Sequence, residues 1–256
     1  MIQQVAGTDA DMQAAKVSRR AVVDPFVQQF LTDSRPVVRW SGAGDAFDSV
    51  LNNPGPMSAS DVGALKAAND VAARVKDGRL QEDDAWDALK ELEGSVASQK
   101  ARGAFSQARQ AIDNNMVNPK PVLDALQTIK NGPLGVIGSN GAKLGELIDS
   151  INGAANIRGK VGTDMLDAVR QEASKMLGNS NSQGVLAYGP ARDSIVSAIE
   201  RVAPGYRNYL ATYAKASEPI NTMEAVGGLL DPSAPGSLNA AGDPQLALAR
   251  VKLLLR

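Results

Sequence analysis

Apolar residues recur along this chain at intervals of three and four, and no stretch alternates residue by residue, so the pattern predicts helices. Val62, Leu65, Val71 and Val75 make one stripe, capped by Ser58 or Ser60 and closed at Asp77 and Gly78. Between Gln81 and Asn114, Trp86, Leu89, Leu92, Val96, Phe105, Ala108 and Ile112 make another, weak from Gly94 to Gly103. A connection of about three or four residues makes these two regions an antiparallel hairpin. Pro119 and Pro121 open a helix with Val122, Leu123, Leu126 and Ile129 inward, and Leu144, Leu147, Ile148 and Ile151 mark the next. Thr163 is read as the cap of a helix carrying Met165, Leu166, Val169, Met176 and Leu177. Gly178 to Gly184 reads as a loop, after which Gly189 and Pro190 begin a helix with Ile195, Val196, Ile199 and Val202.

Breaks in the pattern divide the chain. Asp24 and Pro25 read as N-cap and first residue of a short helix with Phe26, Phe30 and Leu31 on its apolar face. From Arg35 to Pro56, the glycines 42 and 44 and the run Asn52 to Pro56 predict a loop, one short helix around Phe47 and Leu51, and a module boundary. Pro219 is expected to interrupt the helix that starts near Pro204. Asp231 to Gly242 is a second linker, and Asp243 and Pro244 start a helix whose Leu246, Leu248, Val251, Leu253, Leu254 and Leu255 form an apolar face. Such a face calls for a partner: this chain, another copy, or a continuation of the polypeptide. The expected fold is all-α, an elongated assembly of helical hairpins and small bundles with Pro/Gly-rich connections and no substantial β-sheet. Four segments follow: 1–56, an N-terminal arm; 57–155, the hairpin plus short helices; 156–230, a helical module with a tyrosine helix; and 231–256, linker and apolar helix.

Composition sharpens this picture. Hydrophobic residues reach 43% but aromatic residues only 4%, so alanine-rich helices must approach closely where bulky side chains are few. Without cysteine or histidine the chain has no disulfides, thiol nucleophiles, cysteine-histidine zinc sites or imidazole bases. Lys and Arg number 27 against 28 Asp and Glu, which gives no broad attraction for a phosphate backbone or an anionic membrane. No apolar run approaches the ~20 residues that cross a bilayer.

Candidate chemistry is correspondingly thin. Gly135 to Gly145 is glycine-rich, yet it follows a helix and lacks a Gly-Lys-Ser/Thr ending, so it reads as a connection between helices. Glu200 and Glu224 flank the tyrosine helix and are the nearest candidates for a glycosidase-like pair; the alternative is solvated surface glutamates. Ser95 and Lys100 lack the Ser-x-x-Lys spacing, and Glu82, Asp83 and Asp84 are better explained by a helix N-terminus than by a cation. The expectation is no enzyme, no catalytic residue, no cofactor, no metal and no small-molecule substrate. Lys16, Arg19, Arg20, Arg35 and Arg39, with Trp40, make a modest basic-aromatic cluster that would touch DNA or phospholipid, or simply be solvated.

Three of the four tyrosines fall between Val202 and Glu224. Tyr206, Tyr209 and Tyr213 at i, i+3 and i+7, with Leu210 beside them, share one side of a helix. They form either a contact surface or a local core; Tyr206, Tyr209, Leu210 and Tyr213, together with Leu253 and Leu254, are the candidate interaction surface.

The region also carries a resemblance. Thr163 to Arg170, then Ala203-Pro204-Gly205-Tyr206 through Ser217-Glu218-Pro219-Ile220 to Met223 and Glu224, resembles a recurring region of internal virion, or DNA ejection, proteins of tailed bacteriophages and prophages. Pro121 to Leu126 and Leu144 to Asp149 resemble helices seen before it. The resemblance implies a structural component held inside the particle or near the portal, and in the host cytoplasm during assembly, which assists genome delivery. It also implies self-association, portal or tail partners, and weak contact with DNA or the envelope. A second expectation is a helical domain of a larger muralytic or polyvalent phage protein, and a third is a bacterial helical adaptor.

Overall fold

The computed structural model describes the backbone of residues 9–156 and 158–230, and the side chains of 10–156 and 158–224. Among these residues the fold is all-α: α1 (Asp9–Val27), α2 (Pro36–Leu51), α3 (Ala59–Lys76), α4 (Glu82–Ser95), α5 (Gln99–Ile112), α6 (Lys120–Asn131), α7 (Asn140–Ala154), α8 (Thr163–Gly178), α9 (Ser182–Val202) and α10 (Tyr206–Leu230). A π-helical turn, Gln28–Thr32, follows α1. Two short strands, β1 (Met116–Val117) and β2 (Val161–Gly162), pair antiparallel with Met116 opposite Gly162 and Val117 opposite Val161. The described residues form two units, 26–207 and a smaller one of 9–25 with 208–230.

In the larger unit α2 lies between α3 and α5. Trp40, Ala43 and Phe47 enter a core with Leu65, Ala68, Val75, Leu89, Phe105, Ala108 and Ile112. The rings of Phe47 and Phe105 meet edge to face with centroids 5.1 Å apart. Residues 36–51 therefore share a core with residues beyond Pro56, across the break at which the sequence suggests a module boundary. They form one continuous helix, and the reason lies in the glycines. A Cβ on Gly42 would stand 3.2 Å from Ala111 Cβ of α5, and one on Gly44 would stand 3.4 Å from Asn69 Oδ1 of α3. These glycines are places where neighbouring helices come close, and the packing outweighs their helix-weakening entropy.

Residues 81–114, read as one interrupted helix, are two. Ser58 caps α3 by accepting from the Asp61 amide at 3.0 Å, and the Asp61 carboxylate accepts from the Ala97 and Ser98 amides at 2.9 and 3.3 Å. One buried aspartate thus belongs to the start of α3 and satisfies backbone donors where α4 gives way to α5. Ser98 then caps α5, accepting from the Lys100 and Ala101 amides.

The second core of this unit is built by α6 to α9, with Val122, Leu126, Leu144, Leu147, Ile151, Leu166, Ala173, Ala187, Tyr188, Ile195 and Ile199 buried. The glycine-rich stretch becomes a tight turn followed by α7. A Cβ on Gly135 would fall 1.8 Å from the Lys130 carbonyl oxygen, so that turn admits no side chain. The Tyr188 hydroxyl donates to Asn140 Oδ1 at 2.8 Å, joining α9 to the start of α7.

Prolines gave the least accurate boundaries. Helix α1 runs from residue 9 through Pro25 and passes into the π turn, where the sequence suggested a start; α9 begins at Ser182, capped by Asn181, and contains Pro190; α10 contains Pro219 without interruption. All three prolines are exposed. A ring on the solvent side leaves the freed carbonyl to water while the buried face holds the helix together. In the smaller unit, Val23 of α1 and Ser217 and Ile220 of α10 are buried, and the Arg19 guanidinium lies 5.2 Å from the Tyr213 ring centroid and donates to Ser217 Oγ at 3.4 Å.

Close approach at Gly42 generates a pair of opposite expectations. Gly42→Val is expected to lower stability by about 1–3 kcal/mol through overpacking against α5. Gly63→Ala, in α3 with nothing within 4 Å of the added Cβ, is expected to raise it by about 0.5–1 kcal/mol. Urea unfolding followed by circular dichroism measures both.

Candidate functional site

Four groups of polar and aromatic side chains stand out, and the first is centred on Arg39. Its side chain is 2% exposed. Nε donates to the Ser34 carbonyl at 2.6 Å, Nη1 to the Ile112 carbonyl at 2.6 Å, and Nη2 to both oxygens of Glu82 at 2.8 and 3.0 Å. The Trp40 indole N–H donates to the same glutamate at 2.6 Å. Burial pulls the guanidinium below its ordinary pKa, and Glu82 opposes that shift. Arg39 and Trp40, read as part of a basic-aromatic surface cluster, are interior; Arg35 is exposed, and Arg19 is engaged with Tyr213 and Ser217. Glu82, at the head of the acidic run considered for a cation, is instead the acceptor of three hydrogen bonds. Among the described residues no group of three or more Asp and Glu is placed to hold a metal ion.

The second group surrounds Asp167. Its Oδ1 accepts from the Tyr206 hydroxyl and from Arg170 Nε, the latter at 2.7 Å, while Oδ2 accepts from Gln171 Nε2 at 2.7 Å. Burial, and then the neighbouring Asp167 carboxylate, push the Tyr206 phenol far above its ordinary value, so it stays a neutral donor. Burial works against the Arg170 cation, but Asp167 and Tyr206 outweigh it and its pKa is raised. Thr163, expected to cap α8, donates its hydroxyl to the Phe30 carbonyl and its amide to the Asn115 carbonyl. Ser34 supplies the cap from outside the helix, accepting from the Asp164 amide at 3.2 Å and donating to the Asp164 carboxylate at 2.7 Å.

The tyrosine surface is accordingly divided. Tyr206 and Tyr209 are buried, Leu210 is half-buried and Tyr213 is 40% exposed. Tyr206 meets Phe30 edge to face at 6.3 Å. The first two rings are therefore core, because the face that groups them is the one α10 buries, and only Tyr213 presents much of its ring to solvent. Leu253 and Leu254 lie outside the described residues.

Glu200, the candidate acid, caps α10. It accepts from the Gly205 amide at 2.9 Å and the Arg207 amide at 2.7 Å. The Gly205 amide above all holds its carboxyl below the usual range; burial opposes this, and the Arg207 amide and guanidinium add to the lowering. A general acid needs the opposite shift. Glu224 is exposed. Ser95 donates to the Leu92 carbonyl and Lys100 to the Asn53 carbonyl, so neither activates the other.

The fourth group lines a cleft of about 360 Å³ between α4 and α5. Trp86, Leu89, Lys90 and Glu93 come from one face of α4, Phe105 and Arg109 from α5, and Arg158 from the segment after α7. The Arg158 guanidinium carbon lies 3.9 Å from the Trp86 ring centroid and its Nη1 pairs with Asp113. Arg109 pairs with Glu93 at 2.7 Å. Of these groups the sequence pattern had placed Trp86, Leu89 and Phe105 in the core, and that reading missed the cleft. The i, i+3, i+4, i+7 spacing of 86, 89, 90 and 93 was its legible signal, while Arg158 had none. Arg39 shares the helical stripe of Ala43 and Phe47, but Arg35 shares it too, so that spacing does not single Arg39 out.

These features define an all-α protein whose most elaborate polar groups tie helices together. No protein-family model, curated protein or solved structure matches the chain.

Two variants probe this arrangement. Arg39→Met is expected to destabilise the protein by about 3 kcal/mol or more, since it orphans two backbone carbonyls and a partly buried glutamate, as read by urea unfolding. For Glu200, the lowered folded pKa means that its stabilisation is present above the unfolded glutamate value and is lost as pH falls through the folded value. The gap in melting temperature between the wild type and Glu200→Gln is expected to be widest near neutral pH and to close below about pH 4. Thermal melts across that range measure it.

Proposed function

We propose that this chain is a non-enzymatic structural component of a tailed-phage particle, of the internal virion or ejection type, which assembles with copies of itself and with portal or tail proteins and assists genome delivery. The observation that carries this reading is the ordered run from Thr163 to Glu224 that resembles the recurring region of those proteins. Physical features support it. The core around α2 contains Ala43, Ala64, Ala68, Ala72, Ala85, Ala101, Ala104 and Ala108, so its helices pack through small side chains at close range. With a helical fold and no disulfide to rebuild, such a chain re-forms its helices from local contacts before they pack together again after passage through a narrow channel. The carboxylate best placed to be an acid, Glu200, is held in the ionised form as a helix cap. Mass spectrometry of purified particles of the encoding phage or induced prophage is expected to detect the chain at several copies per particle. Its absence from the particles, or peptidoglycan cleavage by the purified protein in a zymogram, overturns the proposal.

A further inference from the structure

The cleft between α4 and α5 combines three features of a ligand site. Its floor is apolar, with Leu89 and Phe105 3% and 2% exposed and the half-buried Trp86 beside them. Its volume, about 360 Å³, falls within the ~300–1,000 Å³ of small-molecule sites. Its charge is one-sided: Lys90, Arg109 and Arg158 line it against the single carboxylate of Glu93.

The disposition of those cations matters. Arg158 is fixed over the Trp86 ring and tied to Asp113, which also takes Lys160 at 2.8 Å. Arg109 is held by Glu93. Lys90 is exposed at the rim and forms no ion pair among the described residues. Counting Lys160 and both carboxylates, the neighbourhood retains a surplus of positive charge in a protein with no overall excess. Arg158 and Arg109 are thus pre-ordered around an apolar slot, and Lys90 stands where an anion at the mouth would meet it. A guanidinium already in place loses little freedom on meeting a carboxylate, and the low polarity of the floor strengthens the contact.

We propose that this cleft is a binding site for a small planar carboxylate, an aryl acid whose ring lies against Trp86, Leu89 and Phe105 and whose carboxylate faces Lys90 and Arg109. The proposal goes beyond the virion reading and does not depend on it, because it concerns only the geometry of α4, α5 and Arg158. A neutral ring of the same shape forgoes the charge contact, and a cationic one is repelled.

The chain's two tryptophans supply the readout. Only Trp86 borders the cleft, whereas Trp40 is buried with its indole bonded to Glu82. Titration of the ¹⁵N-labelled full chain with 2-naphthoate is expected to shift the Trp86 indole cross-peak saturably, with Kd in about the millimolar range, and to leave that of Trp40 in place. The neutral analogue 2-naphthamide is expected to bind about fivefold more weakly, and Lys90→Glu to weaken naphthoate by about fivefold or more while leaving the melting temperature nearly unchanged. Lys90→Arg, which keeps the charge, restores binding. A linear, unsaturated response, equal affinity for the amide, or indifference to Lys90→Glu overturns the proposal.

Discussion

The Arg39 guanidinium holds the larger unit together at the point where three chain segments would otherwise separate. Its three nitrogens face the Ser34 carbonyl before α2, the Ile112 carbonyl at the end of α5, and the Glu82 carboxylate in the first turn of α4. A planar fork with fixed donor directions can serve three acceptors at once; an ammonium on a flexible stem cannot do so with the same geometry. The cost of burying this charge is met because every donor set is occupied and Trp40 adds a further bond to the same glutamate. Once α2 is pinned, Phe47 and Trp40 are oriented into the core and the glycines at 42 and 44 face the helices they touch.

Close approach is the second constraint, and it follows from the shortage of aromatic side chains. With alanine at nearly half of the buried positions around α2, core volume is filled by bringing backbones together, and glycine is the residue that permits the last increment. The same economy explains why prolines 25, 190 and 219 do not end their helices: each occupies an exposed position, so the apolar face continues past it. After α1 the π turn at Gln28–Thr32 carries Phe30 into contact with Tyr206 and its carbonyl into reach of Thr163.

Carboxylates in this protein act mainly as acceptors for backbone and cationic donors. Asp61 joins the start of α3 to the break before α5, Asp167 gathers Tyr206, Arg170 and Gln171, and Glu200 caps α10. Asp61 and Glu200 are stabilised as anions by fixed backbone donors, which suits a joint between helices and disfavours proton transfer. The cleft beside Trp86 differs in kind, for there the cations exceed the carboxylates and the floor is apolar.

The sequence by itself determined the helical class, because three- and four-residue periodicity with Ser58, Gly78, Pro119 and Gly205 as punctuation leaves little room for a sheet. It also determined most of the buried stripe positions, including Leu65, Leu126, Leu144, Ile151 and Ile195. It did not determine which glycines and prolines are breaks, since that depends on whether a neighbouring helix needs the space or solvent accepts the freed carbonyl. Nor did it separate Arg39 from Arg35, or Tyr206 from Tyr213: each pair has the same chemistry in sequence, and only tertiary packing decided which member would be desolvated and therefore matched to a partner.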